Sequence, residues 1–319
     1  MRVAISGARG LIGRRVLEHY AQRGVPVHAL SRQLAPQTTG TVRWFCHDLA
    51  SCSEADLHEF MTDCDIVFHC AAELRDPMRM DAVNFHGTKK LFTAALHAGV
   101  KRWVQLSSVG VYGPVRFGTV TEKCMSNPHN DYERSKAAAD EWLQLRRADD
   151  IDVVLLRPSN VFAPDMTNQS LFALIKAIRL GRFFFVGTRQ STMNYVHADD
   201  VVHALTLCGE RSEAKGKTFI VSEYLQLAKF VDIVSDIIGI ESSRRIFPEW
   251  PIRLVANMLR WLPRFPLKPS RIDALTNRVV YSQESITRVL GYHPAKGIEK
   301  GLIELVDSLS ARKIRHEGQ

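Results

Sequence analysis

The chain has 319 residues, 45% of them hydrophobic and 24% charged, with 42 Lys and Arg against 34 Asp and Glu for a formal net charge of +8. That length suits one large domain plus a smaller companion, and that balance excludes a disordered chain or a fibre. The positive surplus favours anionic partners; with no nucleic-acid motif and with basic residues spread along the chain, phosphorylated small molecules fit and nucleic acid does not. No apolar run approaches the roughly 18 residues needed to cross a bilayer. The N-terminus MRVAISGARG enters a strand pattern directly, without the features of a signal peptide, so a cytoplasmic protein is expected. Cys46, Cys52, Cys64, Cys70, Cys124 and Cys208 form no Cys-x-x-Cys pair and no zinc spacing, so no metal site is expected.

Short β-rich runs at Arg2–Ser6, Val25–Leu30, Val42–Cys46, Asp65–Cys70, Trp103–Ser107 and Val153–Arg157 alternate with helical patterns. The helical patterns fall around Leu11–Arg23, Glu54–Thr62, Met80–Gly99 and Tyr132–Ala148. Such alternation predicts an α/β fold with a doubly wound parallel sheet and right-handed crossovers. The apolar run Val153–Leu156 predicts a strand covered on both faces. Beyond Pro158 the alternation breaks down into a helix near Leu171–Leu180, the run Phe183–Val186, and Tyr195–His197 leading into a helix from Asp199. The expected organisation is a nucleotide-binding domain over 1–158, with 191–213 returning to it. A smaller C-terminal α/β substrate-binding region takes 159–190 and 214–310, and 311–319 is a basic tail.

Gly7-Ala8-Arg9-Gly10-Leu11-Ile12-Gly13 follows the first strand and opens the first helix. Glycines there permit a tight turn, let backbone approach a pyrophosphate, and let helix pack on sheet, while the helix start supplies donors. An NAD site places Asp or Glu at the end of the second strand, yet Val27 to Trp44 contains no acidic residue. Ser31 and Arg32 stand there instead, with Arg9 on the glycine loop, and a guanidinium fork matches a 2′-phosphate. NADP(H) is therefore expected over NAD. Asp48 and Leu49 are expected beside the adenine, and Ala71 and Ala72 along the dinucleotide.

Tyr132 and Lys136 lie four apart, on one face of a helix. That spacing allows Lys136 to lower the phenol's pKa and to reach a ribose hydroxyl. Ser108, at the end of the fifth strand, is placed to hydrogen-bond a carbonyl or hydroxyl oxygen with which Tyr132 exchanges a proton. In this order behind a glycine loop the chain resembles the extended short-chain dehydrogenase/reductase family, the NAD-dependent epimerase/dehydratases, over nearly its whole length. Leu156–Pro164, Asn194–Val201 and Leu290–Pro294 resemble further blocks of that family.

The resemblance implies a Rossmann fold with Ser108, Tyr132 and Lys136 as catalytic residues, Asn84 supporting the Lys136 region, and Asn160 lining the substrate pocket. It also implies a homodimer through the helices starting near Met80 and Tyr132. Many nucleotide-sugar members carry an arginine where this chain has Met193; Arg189 is the expected substitute for gripping a diphosphate. Ala163 stands where the family often has glycine. Among relatives the look is nearest to bacterial surface-polysaccharide sugar 4-epimerases and 4-ketoreductases.

The missing acidic clamp favours a reductase that exchanges NADPH at each turnover, acting on a 4-keto group of a nucleotide- or lipid-diphosphate-linked sugar. The alternatives are a 4-epimerase retaining NAD, a 3β-hydroxysteroid-dehydrogenase-like or dihydroflavonol-reductase-like enzyme, and a non-catalytic NADP(H) sensor. The intact Ser108, Tyr132 and Lys136 argue against the sensor. Finally, Pro251–Leu262 reads as a helix with Ile252, Val255, Ala256, Leu259 and Leu262 near one stripe. Arg253, Arg260, Arg264 and Lys268 surround Trp250 and Trp261, which suits either a helix covering the substrate pocket or peripheral contact with an anionic membrane.

Overall fold

The computed structural model describes residues 1–33, 40–146, 150–166, 169–258 and 269–317. In chain order its first half runs β1 (Val3–Ser6), α1 (Leu11–Gln22), β2 (Val27–Ser31), β3 (Val42–Cys46), α2 (Glu54–Met61), β4 (Ile66–His69) and α3 (Pro77–Met80). It continues through a π-helical segment (Asp81–His86), α4 (Gly87–His97), β5 (Arg102–Leu106), β6 (Phe117–Val120), α5 (Asp131–Gln144) and β7 (Asp152–Pro158). There follow β8 (Asn160–Phe162), α6 (Gln169–Arg179), β9 (Phe185–Val186), β10 (Thr192–His197), α7 (Ala198–Glu210), β11 (Thr218–Val221) and β12 (Glu223–Gln226). The last elements are α8 (Leu227–Ile238), β13 (Ile246–Phe247), α9 (Glu249–Met258), α10 (Pro269–Thr276), β14 (Arg278–Tyr281), α11 (Glu284–Leu290) and α12 (Gly297–Glu317).

Seven strands form one sheet in the order β11-β7-β5-β4-β1-β2-β3, and every pair is parallel. The order reverses at β1, so a crevice opens at the carboxyl ends of β1 and β4, where α/β sheets of this kind bind ligands. The central strands are apolar on both faces because helices cover both. Val3, Ile5, Phe68, Val104 and Val154 face the side covered by α1 and α7, while Ala4, Val67, Trp103 and Val153 face α2, α4 and α5.

After β7 the chain leaves the sheet. Strands β8, β10 and β12 make a three-stranded sheet, β9 pairs β13, and β6 pairs β14. Helices α6, α8 and α12 pack there around Phe162, Phe183, Phe185, Phe230 and Leu302. Three expected limits move. Strand β11 joins the main sheet beside β7, although 214–310 was read as substrate-binding region. Strand β6, inside 1–158, pairs instead with β14. Helix α12 runs on to Glu317, past the start of the expected tail. Of the predicted helix Pro251–Leu262, the part to Met258 is observed as α9; Leu259, Arg260, Trp261, Leu262, Arg264 and Lys268 lie outside the described residues. Among the described residues no helix is long and apolar enough to cross a membrane.

Candidate active site

The glycine loop turns between β1 and α1 under tight steric limits. Gly7 has φ +68°, in the left-handed region, and a Cβ on it would sit 2.7 Å from the Ala71 backbone. A Cβ on Gly13 would meet the Gly7 carbonyl oxygen at 2.2 Å, so only glycine lets α1 approach the loop. No side chain caps α1 at Gly10, which leaves its first N–H groups as donors toward the crevice. The adenosine end of the crevice holds about 270 Å3 and is lined by Gly7, Arg9, Gly10, Ser31, Arg32, Asp48, Leu49, Ala71 and Ala72 among others. These features fit a dinucleotide: donors and glycines for a pyrophosphate, small residues beside it, and a cavity for the adenosine.

The end of β4 is fixed by buried His69. Its Nδ1 lies 2.5 Å from Ser6 Oγ and its Nε2 2.9 Å from Thr88 Oγ1. Burial, with Lys136 nearby, pushes this imidazole down to about 3, so it is neutral and structural. Four residues on, buried Glu73 accepts from the Leu74, Arg75 and Asp76 backbone N–H groups at 3.1, 3.0 and 3.4 Å and from Arg32 at 2.9 Å. Burial alone would raise its pKa; the Arg75 N–H, Arg32 and the Asp76 N–H hold it at about 2. Arg32 thus reaches across the cleft mouth to Glu73, while Asp48 pairs with Arg79. Neither carboxylate was paired from the sequence, because their partners lie 41 and 31 positions away.

Asn84 sits in the π-helical segment, where one extra residue per turn turns its amide inward. Its Oδ1 accepts from Glu73 N at 2.7 Å, and its Nδ2 donates to Ser135 Oγ at 2.9 Å and Glu73 O at 3.0 Å. It thereby bridges the Glu73 turn to α5. Asn130 caps α5 through a reciprocal box with Glu133, which places Tyr132 in the first turn and Lys136 one turn deeper. Ser108 lies two residues beyond β5 and caps the turn that follows, its Oγ accepting from Gly110 N at 3.0 Å. The Tyr132 hydroxyl faces the same cavity as Ser108, which acts to lower its pKa. Ser108, Tyr132, Lys136, Asn160 and the glycine loop line one larger cavity of about 1090 Å3, together with Leu74, Asn130, Ser159 and Met166.

Two expectations change here. Lys136 was expected to lower the Tyr132 phenol's pKa, yet desolvation pushes the phenol up to about 12, with Ser108 opposing. Lys136 is fully buried and donates to the Leu106 carbonyl at 2.5 Å; its burial lowers its own pKa against Asp140 and Cys70. Arg189 does not line the cavity: its guanidinium lies over the Phe185 ring, 4.7 Å from the centroid. Met193, at the position where many relatives have arginine, is buried on β10 against the α6–α8 core.

Behind Lys136 lies a buried network that the sequence reading did not contain. Asp140 Oδ2 accepts from Ser107 Oγ at 2.7 Å and Arg157 Nε at 2.9 Å, and Arg157 donates to the Tyr112 hydroxyl at 2.8 Å. The signal was available: Asp140 is four residues beyond Lys136 on the same helical face. At the cavity rim Asp165 binds Arg15 at 2.6 Å and also pairs with Arg14, tying α1 to the segment after β8. Among the described residues no His, Cys, Asp and Glu group has metal-binding geometry.

Comparison with known proteins places this geometry among relatives. The chain is 25% identical over 319 residues to a ketoreductase of Stigmatella aurantiaca named for 4-hydroxy-2-methyl-3-oxo-4-farnesyl-3,4-dihydroquinoline-1-oxide, covering 95% of each protein. It is 25% identical to the decarboxylating sterol-4-alpha-carboxylate 3-dehydrogenase of Homo sapiens, over 96% of this chain and 88% of that one. The structure of MoeE5 in complex with UDP-glucose and NAD superposes with a TM-score of 0.75 at 22% identity, covering 98% and 100% of the two chains. Residues 3–222 match the model of the NAD dependent epimerase/dehydratase family. With more than half its length matched and the crevice, glycine loop and Ser-Tyr-Lys cluster in one place, the chain belongs to that family of NAD(P)-dependent oxidoreductases and epimerases.

Proposed function

We propose that this protein is an NADP(H)-dependent reductase of a keto group, the 4-keto group of a sugar carried on a nucleotide or lipid diphosphate. The observation that carries the reading is the end of β2, where Ser31 and Arg32 line the adenosine cavity in place of an acidic ribose clamp. A half-exposed guanidinium there suits a 2′-phosphate, which would draw Arg32 away from Glu73. A phosphorylated, exchangeable cofactor supports net reduction over an epimerase that recycles one tightly held NAD. Arg9, the first N–H groups of α1, Asp48, Leu49, Ala71 and Ala72 would hold the rest of the dinucleotide.

When bound, the cofactor supplies hydride to the carbonyl carbon. Tyr132, protonated through the neutral range, donates its proton to the carbonyl oxygen as that oxygen becomes a hydroxyl, and Ser108 donates a hydrogen bond to the same oxygen. Lys136 would bind a ribose hydroxyl of the cofactor, Asn84 holds the α5 entry in place through Ser135, and Asn160 would orient the substrate. The enzyme works as a homodimer through the helical stretch from Pro77 and α5.

A second reading, reduction or oxidation of an apolar polycyclic or isoprenoid substrate, is favoured by Met193 and by the names of the relatives from Stigmatella aurantiaca and Homo sapiens. The test is NADPH oxidation with nucleotide- and lipid-linked 4-ketosugars beside sterol ketones, with bound nucleotide measured first. Stoichiometric NAD retained through purification would overturn the reductase. Arg32→Ala should raise KM for NADPH about tenfold and leave NADH unchanged, the loss of one charge-assisted contact.

A further inference from the structure

Helix α9 is apolar on two sides. Its inner face packs Ala256 and Ile252 against Val186, Ile272 and Phe184. Its outer face presents Trp250, Leu254 and Met258, spaced four apart and 73%, 55% and 64% exposed. Strand β13, just before α9 in the chain, adds Ile246 and Phe247, each about half exposed, with the Phe247 ring 4.9 Å from Phe184 at the base of the helix. Side chains of this size in one row form a patch that water does not favour, and such a patch marks a contact surface.

The charge around the patch selects the partner. Arg244 and Arg245 enter it directly before Ile246, both exposed and in no ion pair among the described residues. The Ser243 hydroxyl donates to the Phe183 carbonyl at 2.8 Å, which sets exposed Arg182 alongside them. Glu249, on α9 itself, is already neutralised by Arg253, whose NH1 also reaches Asp273 at 2.8 Å. Glu241 is exposed at the edge. A two-fold pairing of copies through this face would bring a second set of the same arginines into one apolar interface. Aromatic and aliphatic side chains rimmed by arginines instead match the acyl and headgroup layers of an anionic bilayer.

We propose that the outer face of α9 with β13 is a peripheral docking surface for anionic phospholipid bilayers. It holds whatever reaction the cleft performs, because vesicle binding is read without turnover. The test is co-sedimentation of the full chain with vesicles of phosphatidylcholine alone and of phosphatidylcholine mixed with phosphatidylglycerol, at low and high salt.

Binding is expected to the mixed vesicles only, weakened by salt, and lost in Trp250→Ser/Leu254→Ser/Met258→Ser. Arg244→Ser/Arg245→Ser should lower partitioning roughly 30-fold, from about 1 kcal/mol per surface arginine. The second variant keeps the test decisive should the first misfold, and an unchanged thermal midpoint certifies each. Absence of sedimentation with mixed vesicles at low salt overturns the proposal. So does binding that both variants leave intact, or a loss of self-association in the triple variant that reveals a second copy as the occupant.

Discussion

The Tyr132 phenol, half-buried in the cavity wall, is pushed up to about 12 by desolvation, with Ser108 acting the other way and Asp140 adding to the rise. A proton held that firmly suits reduction, where the tyrosine gives it up to a nascent hydroxyl. Oxidation needs the phenolate first. Reductive turnover should therefore be flat in this group from about pH 6 to 9, while oxidative turnover climbs about tenfold per pH unit over the alkaline part of that range. Initial rates in both directions check it; an oxidative rate that plateaus near neutrality would place the titrating group elsewhere. Tyr132→Phe should lower kcat by roughly 10²–10⁴ with cofactor affinity kept. A loss below about tenfold would remove Tyr132 from the proton path.

Helix α5 carries more than the pair of residues that makes its sequence recognisable. One turn beyond Lys136 it buries Asp140 against Arg157 of β7, with side chains 1% and 8% exposed. Removing one partner leaves the other charged and dry, whereas replacing both with apolar groups does not. Asp140→Asn should cost about 3–5 kcal/mol, while Asp140→Leu with Arg157→Leu should recover much of it. Urea unfolding of the three proteins measures this; equal losses in single and double variants would mean the pair is not energetically coupled.

The same helix shows what sequence can and cannot carry. Tyr132 and Lys136 make a local pattern and were legible. Helical spacing puts Asp140 on the Lys136 face, but its contact with Arg157 spans 17 residues and two elements, so the partner was not legible. The π-helical turn at Asn84 was likewise hidden, because the stretch from Met80 to Gly99 reads as an unbroken 3.6-residue repeat. Arg189 illustrates the opposite failure: a free-looking arginine near a family block was taken by the Phe185 ring.

At the scale of the whole molecule the two regions are tied by strands that cross the expected boundary. Strand β11 completes the main sheet from beyond residue 213, and β6 leaves the first half to pair with β14. The doubly wound parallel sheet itself was legible, since alternation with helices leaves few parallel topologies. These exchanges were not, because two- to four-residue strands carry too little pattern. Such interlocking favours unfolding of both regions together, so a ligand bound in the β1–β4 crevice should stabilise the entire chain. At 100 times its Kd a ligand that binds only the folded state adds about 2.7 kcal/mol. With Ser31 and Arg32 in the adenosine cleft and no acidic clamp, NADP⁺ should reach that gain at concentrations where NAD⁺ gives little. Scanning calorimetry with each nucleotide in turn should show one transition that NADP⁺ raises by at least about 2 °C. Equal shifts from the two nucleotides would overturn the cofactor preference, and a shift confined to one of two transitions would show that the crossing strands do not couple the regions.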